Sequence, residues 1–344
     1  MRLGVVWEHG SNAQYRAFQP MRAMARRGHQ VVWPPSTQGE ADPQRLVGCD
    51  VVHVYRRIDP NTRSVVAELT RRGVPVIYDN DDDFISLPKE SPSYKKVGGL
   101  AGRRAFAAMV KAARAAACFT TTTHSLAEIY RRAGVSRIEV IGNYLAPDTP
   151  RPRSARDGFV IGWVGGVDHR ADVARIPIVK ALERVLSEHA EARVECIGVN
   201  LGLSRRYRHD ARVEFEELPA RIGAWDVGIA PLADIPFNRA RSDIKLKEYA
   251  ISGVPWLASP VGPYRDLGEE QGGRLVADDS WFDALEDLIT RPREHRKLAR
   301  KAHKWARGQT IDAAIDRWEK VFASAAATSS RRAAGRPVVR IRMP

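Results

Sequence analysis

The chain has 344 residues, of which 44% are hydrophobic and 28% are charged. This length suits two domains of ordinary size, each with its own core, and the composition excludes a globally disordered protein. Lys and Arg number 55 against 41 Asp and Glu, a net charge of +14. Contact with an acidic partner therefore competes with solubility or an arginine-rich proteome as the explanation of the charge.

The start of the chain argues against an exported or membrane-spanning protein. Met1 leads directly into a strand-like apolar run without a signal-peptide core, and no run approaches the roughly 20 apolar residues of a membrane span. We therefore expect a cytoplasmic protein, peripheral at most to the inner membrane. Cys49, Cys118 and Cys196 lie far apart and lack the paired spacing of a zinc site, so we expect buried free thiols and no structural metal.

Short apolar runs alternate with amphipathic segments through the first half of the chain. This βαβ rhythm predicts a parallel sheet, and residues 1–146 are expected to form a Rossmann-like domain. Several of the helical segments end at a glycine, as a C-terminal cap would. The predicted strands are residues 3–7, 30–33, 51–55, 74–78, 118–122 and 138–141, and the predicted helices are 13–27, 62–72, 101–117 and 125–133.

The fourth predicted strand runs into an acidic segment, residues 79–83, with four carboxylates in five residues. Such crowding costs repulsion and indicates a cation, a basic partner or catalytic use. We expect Asp79 to contact an acceptor and Asp81 or Asp82 to act as a base, against the alternative that the segment caps the next helix. The Asp-x-Asp spacing also occurs at divalent metal sites, but our expectation is that no metal is bound.

Other polar residues of the first half follow strands or lie in a basic loop. His9 is a candidate acid or base, and His124 is a candidate supporting residue; both are expected to lie near a cleft at the ends of the strands. The loop of residues 86–104 either guides an anionic acceptor or is a solvated surface. The remaining predicted acceptor-side residues are Gly10, Ser11, Lys95 and Lys96.

A second alternation follows a proline-rich, charged segment at residues 147–157, which is predicted to be a linker. Residues 158–327 are expected to form another Rossmann-like domain with terminal helices, and 328–344 a flexible basic tail. The predicted strands are residues 159–164, 193–199, 213–215, 227–230 and 254–258, and the predicted helices are 171–189, 243–252, 281–290, 293–307 and 311–323.

Residues 237–264 contain the strongest pattern in the chain. Ser242, Lys245 and Glu248 crowd the start of a predicted helix, where free N–H groups favour an anionic ligand, and Gly253 is expected to end that helix. Earlier, Gly165 and Gly166 end a predicted strand, where a backbone without Cβ atoms lets a ligand approach closely.

Residues 237–264 resemble the nucleotide-sugar-binding motif of GT-B glycosyltransferases, the retaining "glycosyltransferases group 1" type. The resemblance implies an α/β fold of the GT-B type, with two Rossmann-like domains facing each other across a cleft and C-terminal helices packing back. It implies that Lys245 neutralises the donor diphosphate, that Glu248 holds the ribose, and that the backbone of residues 215–219 reads the base. The donor-binding residues implied are Gly165, Gly166, His169, Arg170, Glu216, Leu218, Asn238, Arg241, Ser242, Lys245 and Glu248.

The motif departs from the family at one point. Many relatives carry a pair of glutamates eight positions apart here, but the first is missing and Arg241 stands in that region. Its role toward the sugar is absent or passes to Asn238, Arg239 or Arg241, and the sequence leaves this open.

The expected activity is transfer of a sugar from a nucleoside-diphosphate sugar, such as a UDP or GDP conjugate, to an acceptor hydroxyl, with retention implied by the resemblance. The donor is a co-substrate, and no further cofactor is expected. A glycan or lipid-linked acceptor is the default, and a modified base of DNA or a protein are alternatives. A non-catalytic protein that binds nucleic acid or another partner on a GT-B scaffold is a further alternative, motivated by the missing glutamate.

Overall fold

The structure is a computed structural model that describes residues 1–8, 12–35, 39–149 and 158–334, with the backbone alone for 329–334. Within these ranges two parallel six-stranded sheets, each flanked by helices, form two domains. The predicted α/β architecture of two Rossmann-like domains is confirmed.

The first domain contains a sheet in the order β2-β1-β3-β4-β5-β6. Its central strands are buried along their whole length, as expected of a parallel sheet covered on both faces. The strands are β1 (Arg2–Trp7), β2 (Gln30–Val32), β3 (Val51–Tyr55), β4 (Val76–Asp79), β5 (Cys118–Thr121) and β6 (Ile138–Val140). The helices are α1 (Gln19–Arg26), preceded by a π-helical turn (Gln14–Phe18), α2 (Pro43–Leu46), α3 (Pro60–Arg71), α4 (Tyr94–Val97), α5 (Gly99–Ala115) and α6 (His124–Arg132).

The second domain repeats the plan with the order β12-β11-β10-β7-β8-β9. The strands are β7 (Phe159–Gly165), β8 (Ala192–Gly198), β9 (Tyr207–Asp210), β10 (Val227–Ala230), β11 (Trp256–Ala258) and β12 (Gly273–Leu275). The helices are α7 (Arg170–Val173), α8 (Ile178–Glu188), α9 (Leu218–Gly223), α10 (Pro236–Arg239), α11 (Ile244–Ile251), α12 (Trp281–Thr290), α13 (Pro292–Ala306) and α14 (Ile315–Ala334).

Helix α14 belongs to the core of the first domain although it follows the second. Trp318 and Phe322 are buried there among residues of β1, β3 and α1, and the ring centroid of Trp318 lies 5.6 Å from that of His53. The sequence-based division grouped residues 311–327 with the second domain, whereas the structure packs them on the first, in line with the expectation that the C-terminal helices pack back. The apolar face of this helix is complementary to the first domain, which it reaches by crossing back.

Several local predictions also need correction. The predicted strand at residues 213–215 is wrong: the edge strand is β9, whose polar sequence lacks an apolar pattern, and Phe215–Glu217 forms a 3₁₀ turn. The predicted helix 171–189 is two helices, α7 and α8, with Pro177 at the start of the second. The predicted tail is helical as far as Ala334, and the rest of it lies outside the described residues.

Two further observations concern the chain as a whole. The cysteines form no disulfide, and Cys49 and Cys196 are buried while Cys118 is partly exposed. Among the helices of the described ranges, none is long and apolar enough to cross a membrane.

Candidate functional site

The predicted donor-binding helix is α11, which begins after Asp243 and ends before Gly253. Gly253 has a φ of 76°, so that it ends the helix in a left-handed conformation which glycine adopts without strain. Lys245 and Glu248 lie three residues apart in this helix, hence on the same side. The helix therefore presents an ammonium group and a carboxyl group to the same space.

The glycine loop after β7 lies beside the start of α11. A Cβ atom at Gly165 would come within 2.9 Å of Trp163 and Val199, whereas a Cβ atom at Gly166 would meet nothing within 4 Å. Packing thus requires glycine at position 165, and Gly166 leaves open space in front of the loop. Lys245 donates a hydrogen bond to the carbonyl oxygen of Val164 at the end of β7, which connects the strand before Gly166 to α11.

Arg241 and Lys245 converge on one nitrogen of His169. The Nη1 atom of Arg241 lies 2.8 Å and the Nζ atom of Lys245 3.0 Å from His169 Nε2. Burial, with the charges of Lys245 and Arg241, lowers the pKa of His169 to about 3, so that the ring is neutral. Within the described part of the chain, neither Arg241 nor Lys245 forms an ion pair. Both side chains therefore meet the ring of His169 without a direct ion pair to a carboxylate of the described residues.

The environment also changes the protonation of Lys245. Burial lowers its pKa to about 7, and the charge of Arg241 acts in the same direction. Glu248 opposes this shift. A bound anion such as a diphosphate would restore the protonated form, because an opposite charge nearby favours the ammonium ion.

Asp172 orients His169 through the ring nitrogen that does not face Arg241 and Lys245. The Nδ1 atom of the ring lies 2.6 Å from Asp172 Oδ2, and Asp172 Oδ1 accepts hydrogen bonds from the backbone N–H of Ala233 and from the Asn238 side chain. This network fixes the tautomer in which Nδ1 carries the proton and Nε2 accepts. Asn238 is buried and bound to Asp172, so the structure gives it a positioning role in place of the predicted donor contact.

Glu248 has a partner that the sequence did not indicate. Tyr15, from the first domain, donates a hydrogen bond to Glu248 Oε1, and its ring packs edge-on against Phe215 with the centroids 5.7 Å apart. Burial raises the pKa of Glu248 to about 7, against the opposing effects of Tyr15 and Lys245. Tyr15 lies in the π-helical turn before α1, and such turns are frequent at functional sites.

A cavity of about 270 Å³ opens between the domains beside Glu248. The second domain contributes Glu248 itself and the 3₁₀ turn with its following helix, which were predicted to read the base. The first domain contributes the π-helical turn and α1, and residues near the domain connection complete the wall. The lining residues are Gln14, Tyr15, Gln19, Arg22, Leu145, Ala146, Asp148, Thr149, Phe215, Glu216, Leu218, Pro219, Ile222, Glu248, Ile251 and Ser252.

Asp79, predicted to contact an acceptor, is a structural residue. Its side chain is fully buried in an ion pair with Arg16, which is also fully buried, and it accepts a hydrogen bond from Thr120. Burial alone would raise its pKa, but the charge of Arg16 outweighs that effect and lowers the pKa to about 2. An acceptor cannot reach this carboxylate, so the prediction for Asp79 is corrected.

Asp81 and Asp82 surround Arg56 at the end of β4. Arg56 donates hydrogen bonds to both carboxylates, and Asp81 also accepts one from the Tyr55 hydroxyl and one from the Asn12 side chain, each at 2.8 Å. Burial raises the pKa of Asp81, with Arg56 opposing and Asp82 adding to the shift. Neither residue caps a helix, because the next helix begins at Tyr94.

Arg56 itself is held in an unusual conformation. Its φ of 60° is left-handed, which is strained for a residue with a Cβ atom. Its guanidinium carbon lies 5.3 Å and 5.4 Å from the ring centroids of Tyr55 and Phe84. The sequence did not single out Arg56, because a left-handed arginine has no signal in a sequence pattern.

The other predicted site residues lie on both domains. Ser242 accepts a hydrogen bond from the side chain of Asn143 in the first domain, at 3.1 Å. Arg170 is exposed in α7, and Lys95, Lys96 and His124 are exposed on the first domain. His9, Gly10 and Ser11 lie outside the described residues.

The spacing of the glutamate pair in relatives identifies the residue that stands at the position of the missing first glutamate. The residue eight positions before Glu248 is Ala240, which is buried against the first domain. Arg241, the next residue, turns toward His169 instead. The region of the absent carboxylate is thus occupied by a cationic side chain.

No family model matches the sequence, and no curated protein matches it. Solved structures do share its fold. Sucrose-phosphate synthase from Thermosynechococcus elongatus has a TM-score of 0.65 at 14% identity, over 95% of this chain and 100% of its own. HepE from Anabaena, in complex with UDP-glucose, has a TM-score of 0.62 at 14% identity, over 94% and 100%.

A third solved structure is an alpha-glucosyltransferase in complex with UDP and a 13-mer DNA that contains an HMU base. It has a TM-score of 0.67 at 10% identity, over 94% of this chain and 99% of its own. At such identities the likeness concerns the fold, and it confirms the predicted GT-B arrangement of two facing domains.

Proposed function

We propose that this protein is a glycosyltransferase that moves a sugar from a nucleoside-diphosphate donor to an acceptor hydroxyl. The observation that carries the proposal is the convergence of Arg241 and Lys245 on His169 Nε2, where neither side chain forms an ion pair within the described residues. A diphosphate could bind both side chains at the start of α11, beside the open space at Gly166. Two of the solved structures of the same fold contain UDP-glucose or UDP, which makes UDP the first nucleotide to test.

Different residues are proposed to act on the leaving group and on the acceptor. When the bond between the anomeric carbon and the phosphate oxygen breaks, negative charge develops on the diphosphate, and Lys245 and Arg241 are placed to stabilise it. The acceptor oxygen forms the new bond to the anomeric carbon and loses its proton. Asp81, with its raised pKa and its position on the first domain, is the proposed group to position that hydroxyl or take its proton.

A thermal-shift panel tests the donor site. UDP, GDP, ADP, TDP and their common sugar conjugates are compared on the wild type and on Lys245→Ala. Stabilisation by one nucleotide, lost in the variant, supports the proposal. A wild type that none of them stabilises contradicts it and favours the non-catalytic scaffold. Retention is then tested by determining the anomeric configuration of the product.

We further propose an anionic acceptor, because one surface of the first domain is strongly cationic. Residues 91–116 contain no Asp or Glu. On α5 the side chains of Arg103, Arg104, Lys111 and Arg114 are exposed and fall within an arc of about 100° that extends about 17 Å along the axis. Within the described residues none of the four forms an ion pair. Such a face suits the phosphates of a polyanion.

The cationic face is connected to the cleft. Just before α4, Ser91 donates a hydrogen bond to Asp168 in the loop after Gly166, and Glu90 forms an ion pair with Arg175 at 2.9 Å. An acceptor that runs along α5 would therefore be led toward the donor site. On the buried side of α5, Met109 and Ala113 pack on the core, whereas Leu100 in the first turn of the helix is 56% exposed.

These features favour DNA as the second candidate for the acceptor, beside an anionic glycan. Fluorescence anisotropy with labelled DNA at increasing salt concentration, with and without Arg103→Ala/Arg104→Ala, tests the proposal. Arg293→Ala/Arg296→Ala, on exposed positions of α13, is the matched control. Loss of affinity in the α5 variant alone supports a DNA acceptor, whereas equal affinities in all three proteins contradict it.

A further inference from the structure

The cavity beside Glu248 has a wall from each domain, and the wall from the first domain contains a buried glutamine. Gln19, the first residue of α1, is 7% exposed and lines this cavity. Among the described residues we find no hydrogen-bond partner for its side-chain amide. An amide that lines a cavity without a protein partner can bond to a ligand or to water there. Gln19 therefore has hydrogen-bonding capacity that the protein itself does not use.

The position of Gln19 relative to Glu248 follows from Tyr15. Tyr15 precedes Gln19 by four residues, about one turn of the π-helical segment, and donates to Glu248. Both residues line the same cavity. A nucleoside whose ribose meets Glu248 would thus extend its base into the space bounded by Gln19.

The opposite wall suits a flat aromatic ring. Phe215 and Leu218 line it with apolar surface, and the Phe215 ring is already fixed by its edge-on contact with Tyr15. A base lying against this wall would turn its polar edge away from apolar side chains. Gln19, on the other wall, offers both a carbonyl acceptor and an NH₂ donor for such an edge.

We propose that Gln19 binds the polar edge of the donor base, so that base selectivity depends on a side chain of the first domain. This inference rests on the proposed function. For a uracil base, the amide oxygen accepts from the ring N–H and the amide NH₂ donates to a ring carbonyl. Because the base is then held by both domains, closure of the cleft and recognition of the base are coupled.

Isothermal titration calorimetry tests the proposal with UDP, CDP and inorganic pyrophosphate. The proteins are the wild type, Gln19→Ala, Gln19→Glu and the control Gln44→Ala, which changes an exposed glutamine of α2. Gln19→Ala is expected to weaken UDP binding about tenfold, the effect of one or two lost hydrogen bonds. Pyrophosphate, which lacks a base, should bind all four proteins equally.

Gln19→Glu gives a result that a purely structural role would not produce. A carboxylate can accept from the cytosine amino group but cannot donate to the uracil carbonyl, so the ratio of UDP to CDP affinity should shift toward CDP. Equal affinity of the wild type and Gln19→Ala for UDP would overturn this inference and leave the proposed function standing. The same would follow if Gln19→Ala weakened the binding of pyrophosphate as much as that of UDP. A wild type that binds no nucleotide would overturn the proposed function as well.

Discussion

The hydroxyl of Tyr15 in the first domain donates a hydrogen bond to the carboxyl group of Glu248 in the second. The residue expected to hold the donor ribose is thus hydrogen-bonded to the opposite domain. A ribose would compete with Tyr15 for the same oxygen atom. This competition links donor binding to the contact between the domains.

The variant Tyr15→Phe tests that competition. It removes one hydrogen bond and should lower the free energy of unfolding by about 1 kcal/mol. UDP should bind severalfold more tightly, because the ribose no longer displaces a hydroxyl. Urea denaturation and calorimetry measure the two effects, with Tyr94→Phe as the control. Weaker binding of UDP would instead show that the Tyr15 hydroxyl contacts the nucleotide directly.

Lys245→Ala should reduce turnover by at least a hundredfold, because a positioned cation that stabilises charge in the transition state typically contributes that much. The fold should persist, since Lys245 is only half-buried. Initial rates of UDP release and circular dichroism measure activity and folding. Lys180→Ala, an exposed lysine of α8, should be fully active, and an active Lys245→Ala protein would contradict the assigned site.

Binding of UDP at pH 8 should take up close to one proton. The pKa of Lys245 in the free protein is lowered to about 7, so that about nine-tenths of the side chains are neutral at this pH. A diphosphate beside the amine raises the pKa again and draws a proton from the buffer. Near pH 6 the lysine is already protonated, and this uptake should disappear.

Calorimetric titrations in buffers of different ionisation enthalpy measure the number of protons. Glu248 and His169 face the same space, but at pH 8 a carboxyl with a pKa near 7 is largely ionised and His169 is neutral. Lys245→Met should therefore lose the uptake. Buffer-independent enthalpies in the wild type would show that the lysine is not the group that titrates.

The two candidate carboxylates of the first domain should respond differently to substitution. Asp81 is buried and has a raised pKa, whereas the Asp82 side chain is 29% exposed and paired with Arg56. If Asp81 positions or deprotonates the acceptor, Asp81→Asn should lower kcat by about a hundredfold or more. Asp82→Asn should change kcat only a few-fold. Similar losses in both variants would indicate that their shared role is to hold Arg56.

Much of the fold could be predicted because its signals are local. The alternation of apolar runs and amphipathic segments gave the strands of both sheets, apart from the short β12 and the polar edge strand β9, whose sequences carry no apolar period. The predicted helix at residues 243–252 corresponds to α11 within one residue at each end. Three-residue spacing likewise placed Lys245 and Glu248 on one side of it.

The candidate site was only partly predictable. A lysine near a helix start and a glycine pair after a strand are visible in the sequence, but burial is not. Asp79 and Asp81 belong to the same acidic run and are both buried, yet Asp79 is paired with Arg16 and Asp81 with Arg56. Only the packing of the π-helical turn, which brings Arg16 into the core, distinguishes them.

The sequence by itself therefore determined the class of fold, the two domains and the helix of the second domain that contains Lys245 and Glu248, because hydrophobic periodicity and helix ends depend on neighbouring residues. The tertiary structure decided what lies opposite that segment. Tyr15 meets Glu248 across 233 positions of the chain, and α14 returns to the first domain. Such contacts depend on the closure of long loops and on the fit of whole surfaces, which no local pattern encodes.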